Sequence, residues 1–370
     1  MGLWALLMGG GLITWWWHYR HRAVHTPKLV HQDNAFHQRL IHNIPRLTRK
    51  YTPTPWAYNT HAQLIWLVFS STVFKRQLPM QRQLLTMKDG GTTAVDWLDT
   101  DQPPDSPILV VLHTIGGSRQ SMAALMKDLH ELTGWRLALC LRRGHDTLPF
   151  TAARYNTMGD MDDFHEQLAH IKSRYPNAPL YGVGSSAGSA LLVRYLGETQ
   201  DNSALAAGIA YCPAYDTEVA FERLHPFYSR KIARDLVREF IAPHTAYFAQ
   251  LPNFERACQA KNLAQLQSYM HEFSGYATPT AYHQQCNPAT VMSDIKVPLL
   301  VINADDDPVC VKQNVLEHQD KILSMDKTLL VRTQRGSHCA FYEGWRANSW
   351  ANQLMAEYLQ TIDKDTASFS

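Results

Sequence analysis

From residue 107 onward, short uninterrupted apolar runs alternate with stretches of helical period. The runs are PILVVLH (107–113), RLALCL (136–141), PLYGVG (179–184), LAAGIAYC (205–212), PLLVINA (298–304) and KTLLVRT (327–333). Between them, apolar positions recur every three or four residues at about 121–132, 161–174, 187–196, 311–323 and 346–361. Strands that are apolar on both faces and joined by helices need cover on both sides. The pattern therefore predicts an α/β fold with a mostly parallel sheet between helical layers. Ahead of the series, LLTMKDGGTTAVDWLD reads as a hairpin turning at Asp89-Gly90-Gly91. Residues 213–292 lean helical and add no strand, so they are expected to form a helical insertion, a cap, before the strand at 298–304.

The N-terminus has a different pattern. Residues 2–17 carry no charged side chain, and Trp15, Trp16, Trp17, Tyr19, Arg20 and Arg22 follow as an aromatic and basic flank. At 1.5 Å per residue this stretch makes about 24 Å of helix, against a hydrocarbon core of roughly 30 Å. The hydropathy and flank predict a single N-terminal membrane-anchor helix over 1–22, with the bulk of the chain on the cytoplasmic side. Residues 23–81 read as a Pro-punctuated connector and extended arm, 82–362 as the main domain and 363–370 as a tail.

Composition narrows the function. The 370 residues carry a formal net charge of +2 and no basic stripe, which argues against nucleic acid as a partner. Eighteen histidines are scattered without HExxH or paired CxxC spacing, so no metal and no cofactor is expected. Nothing implies an obligate protein partner. Six widely spaced cysteines, Cys339 among them, read as reduced and mostly buried thiols.

The candidate chemistry sits in LYGVGSSAGSALL, residues 180–192. Gly184-Ser185-Ser186-Ala187-Gly188 fits G-x-S-x-G at a strand-to-helix junction, the setting of a nucleophile elbow. Gly184 and Gly188 let the two backbones approach, and their register selects Ser186 over Ser185 and Ser189. The pentapeptide alone is a weak signal, since a tight turn of small residues would look the same. A serine nucleophile needs a base, and the base needs a carboxylate to fix its tautomer. Both follow in the required order: Asp305-Asp306-Asp307 after one buried strand and His338 after the next. Asp307, directly before Pro308, is the best acid, its predecessors serving turn N–H groups or facing water. Oxyanion donors would be the amides of Ala187 and of Ile115, in the loop His113-Thr114-Ile115-Gly116-Gly117.

With these residues in place, the chain resembles the YheT-like family of α/β-hydrolases, which includes bacterial esterases, yeast ethanol acyltransferases and animal membrane-anchored lipid hydrolases. The likeness spans about residues 45–345, through YTPTPWAYNTHAQ, VGSSAGSALLVRYLGE, HPFYSRKIARDL, GYATPTAYHQQCNPATVMSDIKVPLLVINADDDP and GSHCAFYEGW. The resemblance implies an α/β-hydrolase fold, and it puts the acid on the Asp before Pro, here Asp307. Two departures stand out: the family usually has Gly at Thr114, and Gly-Gly-His where this chain has Gly336-Ser337-His338. The implied activity is serine carboxylic-ester hydrolysis of short- to medium-chain or lipid-like esters, with the insertion shaping the acyl pocket. Transfer of the acyl group to an alcohol is the first alternative, and a catalytically silent membrane-bound interaction protein the second.

Overall fold

A computed structural model describes residues 2–73, 78–98 and 101–367. Its sheet has nine strands: β1 (Lys28–Val30), β2 (Gln81–Thr86), β3 (Thr92–Leu98), β4 (Ile108–Leu112), β5 (Arg136–Leu141), β6 (Leu180–Ser185), β7 (Leu205–Tyr211), β8 (Leu299–Ala304) and β9 (Thr328–Thr333). Their spatial order is β1-β9-β8-β7-β6-β4-β5-β3-β2. The run from β9 to β5 is parallel, while β1, β3 and β2 add antiparallel edges. This is the mostly parallel α/β sheet that the apolar runs predicted, in the α/β-hydrolase arrangement that the resemblance implied.

Alternation along β4 shows how the core divides. Leu109 and Val111 enter a cluster with Met122, Met126, Leu354 and Tyr358. Ile108, Val110 and Leu112 enter the opposite one with Phe164, Leu168, Leu192 and Leu196. The side-chain period of two thus sends neighbouring residues to opposite helical layers. One layer contains α4, the fourth helix in the chain order α1 (Gly2–Arg22), α2 (Ala35–Asn43), α3 (Thr60–Val73) and α4 (Arg119–Thr133), together with the C-terminal helix Trp350–Ala367. The other contains α5 (Met161–Arg174) and α6 (Ala187–Thr199). The C-terminal helix runs into the stretch expected as a tail from 363; residues 368–370 lie outside the described residues.

Chain direction matters for the site. The chain steps outward from β4 to β5 and then returns to place β6 on the other side of β4. Loops leaving the carboxyl ends of β4 and β6 therefore diverge, and the crevice between them is where such sheets bind ligands. Residues 213–292 form short helices, among them Thr217–Arg223, Pro226–Leu236 and Pro279–Cys286, around an apolar cluster of their own.

The expected membrane anchor is not supported. No helix among the described residues is long and apolar enough to cross a membrane. Although α1 runs over Gly2–Arg22, its last turns carry His18, Tyr19 and Arg20 and pack on the arm. Tyr19 is fully buried, with its hydroxyl donating to the Pro53 carbonyl at 2.5 Å. The remaining apolar stretch is several ångströms short of a hydrocarbon core. The cytoplasmic assignment depended on that span and falls with it. The arm is also more structured than a connector: β1 pairs with β9, and α3 packs near α4.

A Cβ on Gly188 would lie 2.3 Å from the Leu112 carbonyl oxygen, an atom fixed in the central sheet. Gly188→Ala is expected to cost about 3 kcal/mol, through overpacking against backbone that cannot move aside. Gly116→Ala, with nothing within 4 Å, should cost less than about 1 kcal/mol. Denaturant melts of the two variants side by side check the difference.

Candidate active site

Strand β6 ends at Ser185 and α6 begins at Ala187, so Ser186 makes the whole turn between them. Its backbone sits at φ 53°, ψ −114°, a costly conformation for any residue with a Cβ. Close packing imposes it: a Cβ on Gly184 would lie 2.3 Å from the Gly188 carbonyl. The Ser186 amide donates to the Tyr211 carbonyl at 2.8 Å, which ties the turn to β7. Ser185 is buried, and the Ser189 hydroxyl donates to the Ser186 carbonyl.

The structure brings Ser186, Asp307 and His338 together. His338 Nδ1 lies 2.8 Å from Asp307 Oδ2, and its Nε2 lies 2.9 Å from Ser186 Oγ. A carboxylate only accepts, so Nδ1 carries the ring proton and Nε2 is free to accept from the serine hydroxyl. Asp307 is held in turn, its Oδ1 accepting from the amides of Val309 at 2.7 Å and Cys310 at 2.8 Å. Burial opposes charge on the imidazole, but the Asp307 carboxylate prevails and holds its pKa well above the ordinary histidine value.

The other two aspartates have separate work. Asp305 does not face water; it pairs with Arg332 at 2.7 Å and Lys312 at 3.1 Å. Asp306 Oδ1 accepts from the Ser337 amide at 2.9 Å, bracing the turn that presents His338. Ser337 stands at φ 52°, a left-handed position that suits the glycine found in the resembling family.

Ala187 opens α6, and Ile115 follows β4. Among the described residues, neither amide has an intramolecular acceptor. Residues that the sequence reading missed aim the second one. Arg142, buried at the end of β5, donates from Nη2 to the Thr114 carbonyl at 2.5 Å and the Ile115 carbonyl at 3.3 Å. His113 Nδ1 also meets the Thr114 carbonyl at 2.8 Å, and His145 Nε2 meets that of Ile115 at 3.0 Å. In a trans peptide the N–H points opposite the C=O, so drawing the Thr114 carbonyl inward turns the Ile115 amide outward. Burial lowers the Arg142 pKa to about 10, which leaves it charged at neutral pH, while burial and Arg142 push His145 down to about 3. The signal was present in LRRGH, where a strand buried on both sides ends in two cations.

The arm braces the same site from outside. Tyr51 Oη and the Thr54 amide both donate to the Tyr342 carbonyl at 2.9 Å, and Trp56 Nε1 donates to that of Trp345 at 3.0 Å. The Thr60 hydroxyl donates to the Asp306 carbonyl at 2.5 Å. Two of the sequence blocks, YTPTPWAYNTHAQ and GSHCAFYEGW, therefore lie against each other.

Six free cysteines are present, four buried and two half-buried. Ligand atoms of Cys212, His338 and Cys339 come within 4.8 Å of one another, as do those of Asp307, Cys310 and His338. Both groups depend on His338, whose two ring nitrogens are already engaged. The Cys339 thiol is pushed up by burial, which weakens it as a nucleophile.

Residues 103–344 match a protein family described as Hydrolase_4, serine aminopeptidase S33. The chain is 26% identical to embryogenesis-associated protein EMB8 of Picea glauca, covering 94% of this chain and 79% of that one. It is 23% identical to human phospholipase ABHD3, over 98% of this chain and 91% of the relative. Human monoacylglycerol lipase ABHD2 is 24% identical, over 91% and 85%. Among solved structures, a Pyrobaculum calidifontis esterase superposes with a TM-score of 0.52 at 15% identity, covering 83% of this chain and 91% of that one. That likeness extends to the fold.

The His338 ring is expected to titrate above its ordinary value of about 6.5, because the facing carboxylate favours the imidazolium. Asp307→Asn removes that charge and should lower the pKa by at least about one unit. NMR titration of the ring in wild type and variant reads the shift; an unchanged pKa would contradict the pairing.

Proposed function

Because the chain belongs to the Hydrolase_4, serine aminopeptidase S33, family of α/β-hydrolases, we propose that it is a serine carboxylic-ester hydrolase working through an acyl-enzyme on Ser186. The observation that carries this reading is the continuous hydrogen-bonded line from Ser186 Oγ through His338 to Asp307, at 2.9 and 2.8 Å. Ser186 Oγ attacks the ester carbonyl as His338 Nε2 takes its proton, and Asp307 stabilises the imidazolium. The carbonyl oxygen becomes an oxyanion facing the Ala187 and Ile115 amides, which are fixed before reaction and so need no reorganisation. Collapse expels the alcohol, protonated by His338. Water then enters and gives a proton to the same nitrogen as its oxygen attacks the acyl carbon. The acid leaves as His338 returns that proton to Ser186 Oγ.

An ester substrate is supported by two relatives named as a phospholipase and a monoacylglycerol lipase. Within the larger family, the blocks from Tyr51 to Gly344 support placement in the YheT-like branch. A matched panel of esters and amides tests the substrate: faster turnover of aminoacyl amides than of esters would overturn the ester reading. Product analysis with added ethanol or glycerol separates hydrolysis from acyl transfer.

Three outcomes are expected. Ser186→Ala should lose fluorophosphonate labelling and at least about 10³-fold in kcat; wild type that fails to label would sink the proposal. The kcat/KM profile should rise with pH, because the base works only when neutral and its raised pKa keeps it protonated to higher pH. Its midpoint should lie above about 6.5 and move down in Asp307→Asn. Arg142→Met should lower kcat about 10²-fold with labelling slowed but present, as expected when an oxyanion donor loses its aim.

A further inference from the structure

A half-open cavity of about 800 Å³ lies between α3, α4, the C-terminal helix and a hairpin of β10 (Tyr342–Glu343) and β11 (Asn348–Ser349). That volume lies within the roughly 300–1,000 Å³ of small-molecule sites. Its lining includes Thr114, Ser185 and Cys339. These are the chain neighbours of Ile115, Ser186 and His338, one from each loop of the candidate site.

No residue of the 213–292 insertion lines this cavity. The insertion packs its apolar cluster on Phe150, Ala187 and Ala190, with Ile115 against it. The sequence reading gave the acyl pocket to the insertion; this cavity is lined without it.

We propose that the cavity under α3 receives the hydrocarbon acyl chain of the ester, which makes α3 and α4 the walls that set chain-length preference. This rests on the ester-hydrolase reading of Ser186. Trp66 and Leu67 of α3 and Met122 and Leu125 of α4 line its apolar part, where an unbranched chain needs no polar partner. Polar side chains beside them include Gln120, Asp128, Glu131 and Gln353. At the far end Asn352 Nδ2 donates to Asp128 Oδ2 at 2.8 Å, so those polar groups satisfy each other. The roof is pinned at both ends: Gln120 Nε2 donates to the Ser71 carbonyl, and the Thr60 hydroxyl to the Asp306 carbonyl, each at 2.5 Å. Trp56 stacks edge-on against Trp66 at 4.8 Å between ring centres, which steadies the first turns.

The test uses p-nitrophenyl esters, which keep the leaving group constant while the acyl chain grows from C2 to C16. Wild type should gain about fourfold in kcat/KM per methylene over the lengths that fit, the value of burying one CH₂. Ala124→Trp on α4 and Ser70→Trp on α3 place bulk into the cavity from opposite walls. Each should lower the ratio of C12 to C2 turnover at least tenfold and shift the optimum to shorter chains. Labelling of Ser186 by a fluorophosphonate is read in parallel. If both variants label and keep the wild-type chain-length profile, or lose all lengths in proportion, the acyl chain lies elsewhere and the inference is overturned. If wild type neither labels nor cleaves any ester, the hydrolase reading fails first and the inference falls with it.

Discussion

The constraint on which the site depends is the backbone contact between α6 and two strands. Gly188 leaves no room for a Cβ beneath the Leu112 carbonyl, and Gly184 leaves none beneath that of Gly188. The helix can start only if β6 turns within one residue, and that residue is Ser186, at positive φ. Backbone strain of this kind costs about 1–3 kcal/mol and persists only where the surroundings over-determine it. Here β4, β6, β7 and α6 do so together. The same geometry puts a serine hydroxyl at the mouth of the crevice where the sheet changes direction, with the first amide of α6 beside it.

Electrostatics then differentiates groups that look alike in sequence. Asp305, Asp306 and Asp307 are consecutive, yet one neutralises Arg332 and Lys312, one braces Ser337 and one faces His338. On the facing loop, Arg142 is a buried cation that binds backbone carbonyls. Its charge is stabilised by the carbonyl dipoles that it orients, and orientation is what an oxyanion site requires before substrate arrives.

What was legible in the chain follows from these forces. Continuous apolar runs gave the parallel strands within a residue or two at most ends, because strands buried on both faces tolerate little else. The elbow glycines and the ordered Asp307 and His338 could be read because local backbone geometry and strand order constrain them directly. Arg142 was missed because its partners are carbonyls, which residue identity does not mark; only the two cations ending a buried strand pointed to it. The helix at Thr60–Val73 was missed because its apolar positions do not follow one simple stripe, exposing Ile65, Val68, Phe69 and Val73 while burying Gln63. The N-terminal stretch misled because an apolar run with an aromatic and basic flank suggested a span, although its length already fell short of a hydrocarbon core; the burial of Tyr19 on the arm was not visible in it.

The arm joins these observations. Its residues 51–60 hydrogen-bond to the carbonyls of Asp306, Tyr342 and Trp345, so they brace both loops that present Asp307 and His338. Immediately afterwards the chain becomes α3 and roofs the cavity whose lining includes Thr114, Ser185 and Cys339. One segment thereby ties the carboxylate–imidazole geometry to the wall of the proposed acyl site. A ligand that displaced α3 would pull on Thr60 and through it on the turn before Asp307, whereas a ligand that fits would leave that turn in place. Coupling of this kind needs no second conformation; it follows from a short tether between two packed elements. It also gives a physical reason why an N-terminal segment so far from the elbow in sequence resembles the same family as the elbow itself.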